Sequence, residues 1–380
     1  MCQISRMAEG LDGVVATATR LSDVDGEAGR LTIAGYAVED LAPYASFEEV
    51  AYLLLHGRLP EPSEHVRFMQ DLAGRRALSH AALAIVHEAA AAKVPPMDAL
   101  RMAAPILSLG RDENPVDDAM TAIASFPAIV GTYWRVLNGR GPVPVRSDLP
   151  HAAHYLHQLF GGEPSADRAR ALETYLNTVC DHGLNASTFA ARVIVSTRSD
   201  VISGVTGAVG ALKGPLHGGA PGPALDMVFE IGAPERAEGF IRLKLDRGER
   251  LMGFGHRIYR VRDPRADVLG QAAERFYASG GDQRLYDLAR KVETTALRLL
   301  RERKPERRID TNVEFYTALL LHGLGLPSDL FTPTFAVGRV LGWSAHCLEQ
   351  LRDGRLIRPQ SAYIGPTDRH FDRGRTRAST

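Results

Sequence analysis

Lysine is nearly missing from this chain. Only five of its 45 basic residues are lysines, at positions 93, 213, 244, 291 and 304, and arginine supplies the rest. That bias reads as the mark of a GC-rich genome and assigns no function by itself. Cysteine is scarce too. Cys2, Cys180 and Cys347 form no Cys-x-x-Cys pair, which excludes a disulfide framework and points to a reducing cytoplasm. Net charge is lacking, with 45 acidic residues against 45 basic ones. Nothing in that balance selects nucleic acid or a membrane surface as a partner, although a local basic patch for a polyanionic ligand stays open. There is no N-terminal apolar run of signal-peptide type, and no apolar stretch of about 18 residues fit to cross a membrane. The nearest, 119–137, contains Pro127, Gly131 and Arg135 and reads as a long buried helix. A repeat of about 20–50 residues is also missing, which argues against a solenoid.

What the chain does have is apolar mass, 45 % of 380 residues, enough for a sizeable core. Two short β-branched runs, 13–20 and 30–35, flank Asp23, Asp25, Gly26 and Gly29 and predict a small N-terminal hairpin. Beyond them helix signals dominate. Ser46-Phe47-Glu48-Glu49 is a capping box, with Gly57 and Pro60 as stop signals. Further helices are predicted near 63–74, 79–92, 97–109, 115–138, 149–160, 165–180, 186–197 and 199–212. More follow near 221–231, 235–247, 264–279, 283–303, 312–322 and 333–353. Asp263-Pro264 joins a cap residue to a proline at the first helical position. The fold class is therefore mostly α. The stretches 214–223 and 321–328 are rich in Gly and Pro and are candidate hinges. The polar, basic tail 367–380 is expected to be disordered.

Several segments hold residues suited to chemistry. Gly214-Pro215-Leu216-His217-Gly218-Gly219-Ala220 displays a histidine in a glycine frame, and Gly253-Phe254-Gly255-His256-Arg257 does the same. Taken alone, each histidine reads as well as a loop or cap residue. Around them stand Asp181-His182-Gly183-Leu184-Asn185, Asp263-Pro264-Arg265-Ala266 and Asn312-Val313-Glu314-Phe315-Tyr316. The Gly-Phe-Gly pattern is not a dinucleotide fingerprint, and no strand precedes it.

In this order and spacing the segments resemble the active-site signature of the citrate synthase family, over residues 10 to about 364. The resemblance implies a two-domain helical fold, with 1–220 and 323–366 as a large domain and 221–322 as a small one closing over a cleft. It implies condensation of acetyl-CoA with oxaloacetate. Glu314 would be the base, His217 the donor to the thioester oxygen, and His256 the donor to the ketone and general acid. His182, Asn185, Arg265 (Asp-Pro-Arg-Ala), Arg339 (Val-Gly-Arg-Val-Leu-Gly-Trp) and Arg358 (Ile-Arg-Pro-Gln-Ser) would complete the oxaloacetate site, since guanidinium grips carboxylates bidentately. Arg358 would serve the other subunit of a homodimer. Met252, Gly253, Phe254, Gly255 and Arg257, with Asn312, would receive coenzyme A. Arg257, Lys304 and Arg307 are phosphate candidates, against a plain reading as surface charges. No metal and no tightly bound cofactor are expected, and no nucleic acid or membrane partner.

Two positions depart from the family pattern. Glu314 stands where Asp is usual, and Gly183 where Glu is more frequent. The extra methylene moves the carboxylate by roughly one C–C bond, about 1.5 Å. Asp310 is the alternative base. The alternatives for function are 2-methylcitrate synthesis from propionyl-CoA, a lyase or thioesterase acting on citryl-CoA, and a non-catalytic CoA-binding helical dimer.

Overall fold

Residues 9–11, 13–110, 114–218, 222–256 and 258–370 are described here, from a computed structural model. They form one three-stranded antiparallel sheet of order β1-β2-β3, with β1 Ser22–Asp25, β2 Arg30–Ile33 and β3 Tyr36–Ala37. Everything else of regular structure is helical. The first half contains α1 (Val38–Leu41), α2 (Phe47–His56), α3 (Pro62–Gly74), α4 (His80–Ala91), α5 (Pro96–Ala103), α6 (Pro115–Leu137), α7 (His151–Phe160) and α8 (Ala166–Val179). The second half contains α9 (Ala186–Val195), α10 (Val201–Leu212), α11 (Gly222–Ile231), α12 (Ala237–Asp246), α13 (Pro264–Ala278), α14 (Gln283–Arg303), α15 (Val313–Gly323) and α16 (Phe331–Asp353).

Most boundaries follow the caps. Ser46 closes the capping box of α2, and Gly57 ends that helix at φ 78°. Asn114, Ser165, Asp200 and Asp282 accept from backbone N–H groups at the starts of α6, α8, α10 and α14. Three expectations need correction. The first hairpin strand is 22–25, not 13–20, and Asp23 and Asp25 belong to it. Asp25 sits opposite Arg30, and its carboxylate accepts from Ala28 N at 2.8 Å. It therefore closes the turn at its mouth instead of lying within it. Residues 13–20 form no strand; Arg20 N instead donates to Glu349 on α16 at 2.8 Å. The helix expected over 97–109 ends at Ala103 and gives way to a 3-10 turn, Pro105–Ser108. Pro105 has no N–H to continue the ladder. The four-residue α1 carries too little periodicity to be seen in sequence.

Helices α6 and α16 run through the core, with 16 and 17 of their residues buried. Around them α4, α5, α7, α8, α9 and α10 pack as a shell. Helices α11 to α15 pack chiefly on one another, and α13 also reaches α8 and α1. No helix is long and apolar enough to cross a membrane among the described residues. Of the tail expected to be disordered, 371–380 lies outside the described residues.

Helix α7 carries an unusual burden. His151 and His154 are fully buried, and their ring nitrogens have no hydrogen-bond partner among the described residues. His151 stacks on Phe47 at 4.2 Å. Buried Glu48 accepts from His151 N at 2.8 Å, and buried Arg76 donates to the carbonyls of Arg146 and Leu149. Burial first, then Arg76, pushes His151 well below the ordinary range and His154 down to about 3. In both rings the folded value lies below the unfolded one. The unfolded chain therefore binds more protons between about pH 6.5 and pH 3, and stability is complete above that window and falls on entering it. Denaturant titrations at about pH 7.5 and pH 5.5 should show lower stability at the acid point. The loss should be smaller in His154→Phe. An equal loss in that variant would remove His154 from the cause.

Candidate active site

Helices α9, α13 and α15 all start at the rim of one cavity of about 370 Å³. Their caps fix it. Asn185 Oδ1 accepts from Thr188 N at 3.1 Å for α9. Asp263 Oδ1 accepts from Arg265 N at 3.1 Å for α13. Asn312 Oδ1 accepts from Glu314 N at 3.0 Å for α15. Free N–H groups and aligned peptide dipoles at these ends favour an anionic ligand.

The cavity brings together His182, Asn185, His217, Gly255, His256, Arg265, Asn312, Glu314 and Arg339. Residues from 182 to 339 thus meet in one place. The other predicted site residues lie elsewhere. Met252, Gly253 and Phe254 do not line it, and Met252 is exposed; Gly253 has φ 84°, and a Cβ there would come within 2.9 Å of Phe315. Phe254 packs against Phe315 at 5.5 Å. Lys304 is exposed and lines no part of this cavity. Arg358 is exposed and lines a separate hollow of about 710 Å³ with Arg20, Arg192 and Glu349. Arg257 lies outside the described residues.

The two arginines of the cavity differ. Arg265 is clamped by Asp263, Nε to Oδ1 at 3.0 Å and Nη2 to Oδ2 at 2.8 Å, both side chains being buried. Arg339 is 2 % exposed. Its Nε donates to Val179 O at 2.6 Å, and it stacks on Phe335 at 4.5 Å. No carboxylate pairs with it among the described residues. Burial pushes it down to about 10, with Asp181 opposing. A buried guanidinium without a counter-ion calls for an anion.

The histidines are neutral. Burial, then Arg265, lowers His182 well below its ordinary value and brings His256 to about 4. Burial, then Arg339, brings His217 to about 4. His256 Nδ1 accepts from Ile258 N at 3.0 Å and Tyr259 N at 3.1 Å, so its proton sits on Nε2. That Nε2 is 3.4 Å from Arg265 Nη2, which sets two donors side by side at the cavity wall. His182 Nε2 meets the Tyr259 hydroxyl at 3.0 Å. His217 Nε2 lies 2.7 Å from Ser187 Oγ. Ser187 also receives Trp343 Nε1–H at 3.0 Å and donates to Asn185 Oδ1 at 2.8 Å. In this arrangement its remaining lone pair accepts the His217 Nε2 proton.

Among the described residues Glu314 is the only carboxylate in the lining. Burial raises its pKa, with Arg265 opposing. Its carboxyl has no hydrogen-bond partner among the described residues. Asp310, the alternative base, faces instead the adjoining hollow of about 660 Å³ and lies 3.3 Å from Arg262. That hollow opens from Gly255 and His256 and is walled by Arg260, Arg307 and Arg308.

Ser187, Trp343, Tyr259, Arg260, Arg308 and the clamping role of Asp263 escaped the sequence reading. Asp263 shows there only as a helix cap, although a cap two residues before an arginine is also spaced to grip it.

The family model described as "Citrate synthase, C-terminal domain" matches residues 10–360. Citrate synthase 2 of Bacillus subtilis is 42 % identical over 369 residues, covering 95 % of this chain and 97 % of that protein. The 2-methylcitrate synthase of Shewanella oneidensis is 39 % identical, covering 95 % of each. The crystal structure of citrate synthase from Pyrobaculum aerophilum superposes with a TM-score of 0.87 at 36 % identity, covering 96 % of this chain and 94 % of that one. A ternary complex of carboxymethyl coenzyme A and oxaloacetate with the citrate synthase of Thermoplasma acidophilum gives 0.84 at 31 % identity, covering 96 % and 98 %. Matched along nearly its whole length in sequence and in fold, the chain belongs to the citrate synthase family.

Proposed function

We propose that the protein is a citrate synthase, an acyltransferase that condenses acetyl-CoA with oxaloacetate and hydrolyses the resulting thioester to citrate and CoA. The observation that carries this reading is the cavity itself. One half-buried carboxylate, three neutral histidines and two buried arginines line it together. Arg339, lacking a counter-ion, takes one carboxylate of oxaloacetate. Arg265 Nη2 and His256 Nε2, side by side, hold the keto end. His182 and Asn185 shape the floor; the Asn185 amide is spent on Gly183 O, Thr188 and Ser187.

The chemistry follows from the groups. Glu314, raised in pKa and free of hydrogen bonds, removes a methyl proton of the thioester. His217 donates to the developing enolate oxygen as a neutral ring, which avoids a second charge in a closed site. With Nε2 engaged by Ser187, donation through Nδ1 requires the Ser187 hydroxyl to turn from Asn185 to Nε2. The hydroxyl then donates to Nε2, and the ring, having released its Nε2 proton to solvent and taken one from solvent at Nδ1 before the substrates bind, donates from the side that needs it. The enol carbon attacks the ketone, and His256 Nε2–H protonates the new alkoxide. Water then cleaves the thioester. Coenzyme A lies along the hollow at Gly255, with Arg260, Arg307 and Arg308 toward its phosphates. The division into 1–220 with 323–366 and 221–322 places the cleft between the two parts. The protein acts as a cytoplasmic homodimer, each subunit lending Arg358 to its partner's site.

Steady-state kinetics test the roles. His217→Ala, His256→Ala and Glu314→Gln should each lower kcat at least ~10²-fold with the fold intact. Glu314→Asp should stay active. Normal turnover in Glu314→Gln, with loss in Asp310→Asn, would transfer the base to Asp310.

The relatives include both citrate and 2-methylcitrate synthases, and one methylene is worth only about 1–3 kcal/mol in an apolar pocket. Acetyl-CoA and propionyl-CoA should therefore both condense, with kcat/KM values within about two orders of magnitude. A wider gap in the same assay would show that the pocket is selective.

A shared site predicts complementation. Mixing inactive Arg358→Ala and His217→Ala subunits should restore activity in the heterodimer. No recovery after verified subunit exchange would rule out a contribution from the partner.

A further inference from the structure

Helix α14 buries a charge on its apolar face. Glu293 is 3 % exposed, among buried Ala289, Val292 and Ala296. A carboxylate in such a place must be compensated by several donors. Glu293 has four. It accepts from Thr311 Oγ1 at 2.7 Å, Tyr316 OH at 2.6 Å, Arg290 Nη1 at 2.7 Å and Arg262 Nη1 at 3.1 Å. Two of these donors flank the base in sequence. Thr311 precedes Glu314 by three residues, and Tyr316 follows it by two. The Tyr316 hydroxyl also receives Arg290 Nη1 at 2.6 Å, which turns its own proton toward Glu293.

Glu314 itself has nothing to hold its carboxyl. The position of that group is therefore inherited from the backbone at the start of α15. We propose that Glu293 is a positioning residue for catalysis, gripping the chain on both sides of Glu314, at Thr311 before α15 and at Tyr316 within it, and so setting where its carboxylate points. This rests on the reading of Glu314 as the base. Glu293 bonds to neither oxaloacetate arginine. Arg265 is held by Asp263, and Arg339 stands on α16. Loosening Glu293 should disturb proton abstraction and leave oxaloacetate recognition alone.

The test uses the full-length enzyme with Glu293→Gln, Thr311→Val, Thr311→Ser and Tyr316→Phe, and Glu314→Gln alongside. In Glu293→Gln one pair of donors, Thr311 with Arg262 or Tyr316 with Arg290, must face the amide NH₂, and the arginines lose their counter-charge. Its kcat should fall on the order of 10- to 100-fold, as for a misplaced reacting group. KM for oxaloacetate should change less than about threefold, because ground-state binding is untouched. The primary isotope effect with methyl-deuterated acetyl-CoA should rise as proton abstraction limits turnover. Thr311→Val should share the defect and Thr311→Ser should escape it, since the hydroxyl is what Glu293 holds. If Glu293→Gln fails to fold, Thr311→Val and Tyr316→Phe decide, each removing one bond to Glu293. Values of kcat within about twofold of wild type in Thr311→Val and Tyr316→Phe would overturn the proposal, as would identical behaviour of Thr311→Ser and Thr311→Val. An inactive Glu314→Gln beside a normal Glu293→Gln would sink this inference alone. A fully active Glu314→Gln would sink the base assignment and this inference with it.

Discussion

One buried carboxylate, that of Asp263, joins the parts on which the site depends. It caps α13 and clamps Arg265 through two oxygens. Its Oδ2 also accepts from Val313 N at 3.2 Å, in the first turn of α15. Arg265 and the helix that presents Glu314 thus share one anchor. Burying Asp263 and Arg265 is costly for each alone, and their pairing offsets it. Burial works against charge on Arg265, and Asp263 more than compensates, so its pKa is raised. Arg339, without such a partner, is driven the other way. The cavity therefore keeps one neutralised and one uncompensated guanidinium, a balance that selects an anionic guest.

Burial supplies the remaining tuning. It lowers all three histidines and raises Glu314, so the same loss of water creates neutral donors and a stronger base. Behind the lining, hydrogen bonds rather than contacts with a ligand fix orientation. Two backbone N–H groups determine the His256 tautomer, and Ser187 with Trp343 governs that of His217. The buried chain Asp181–His346–Arg192–Glu349 runs from the His182 loop toward the segment that carries Arg358.

Much of this was legible in the sequence because helix caps and catalytic motifs are both local. Asn185, Asp263 and Asn312 stand where cap residues belong, and the motif histidines, Arg265, Arg339 and Glu314 meet as the resemblance implied. What was not legible depends on distance along the chain. The first hairpin strand was misplaced because Asp25 makes a turn across the strand pair, a pairing that composition does not encode. The 3-10 break at Pro105 was legible in principle, since proline cannot continue a ladder, but the apolar run through it masked the signal. Ser187 and Trp343 lie 156 residues apart, and nothing local links them. Glu293 left a faint trace, a charge inside an apolar stripe. Arg358 matches the motif yet lies away from its own chain's cavity, which no local reading separates from an intrachain role.

The stitch beside Glu314 has a consequence for length. Gly255 N donates to Asp310 O at 2.8 Å, Asn312 N to Gly253 O at 3.0 Å, and Asn312 Nδ2 to Gly255 O at 2.8 Å. Phe254 and Thr311 pair across it as an antiparallel bridge. A slip of one residue would exchange the faces of Thr311 and Asn312, taking the hydroxyl from Glu293 and the cap from α15 together. The exposed connector 304–308 has no such register to keep. A change of length is therefore tolerable in the connector and not in 310–314, whose phasing must stay fixed whatever the path leading to it.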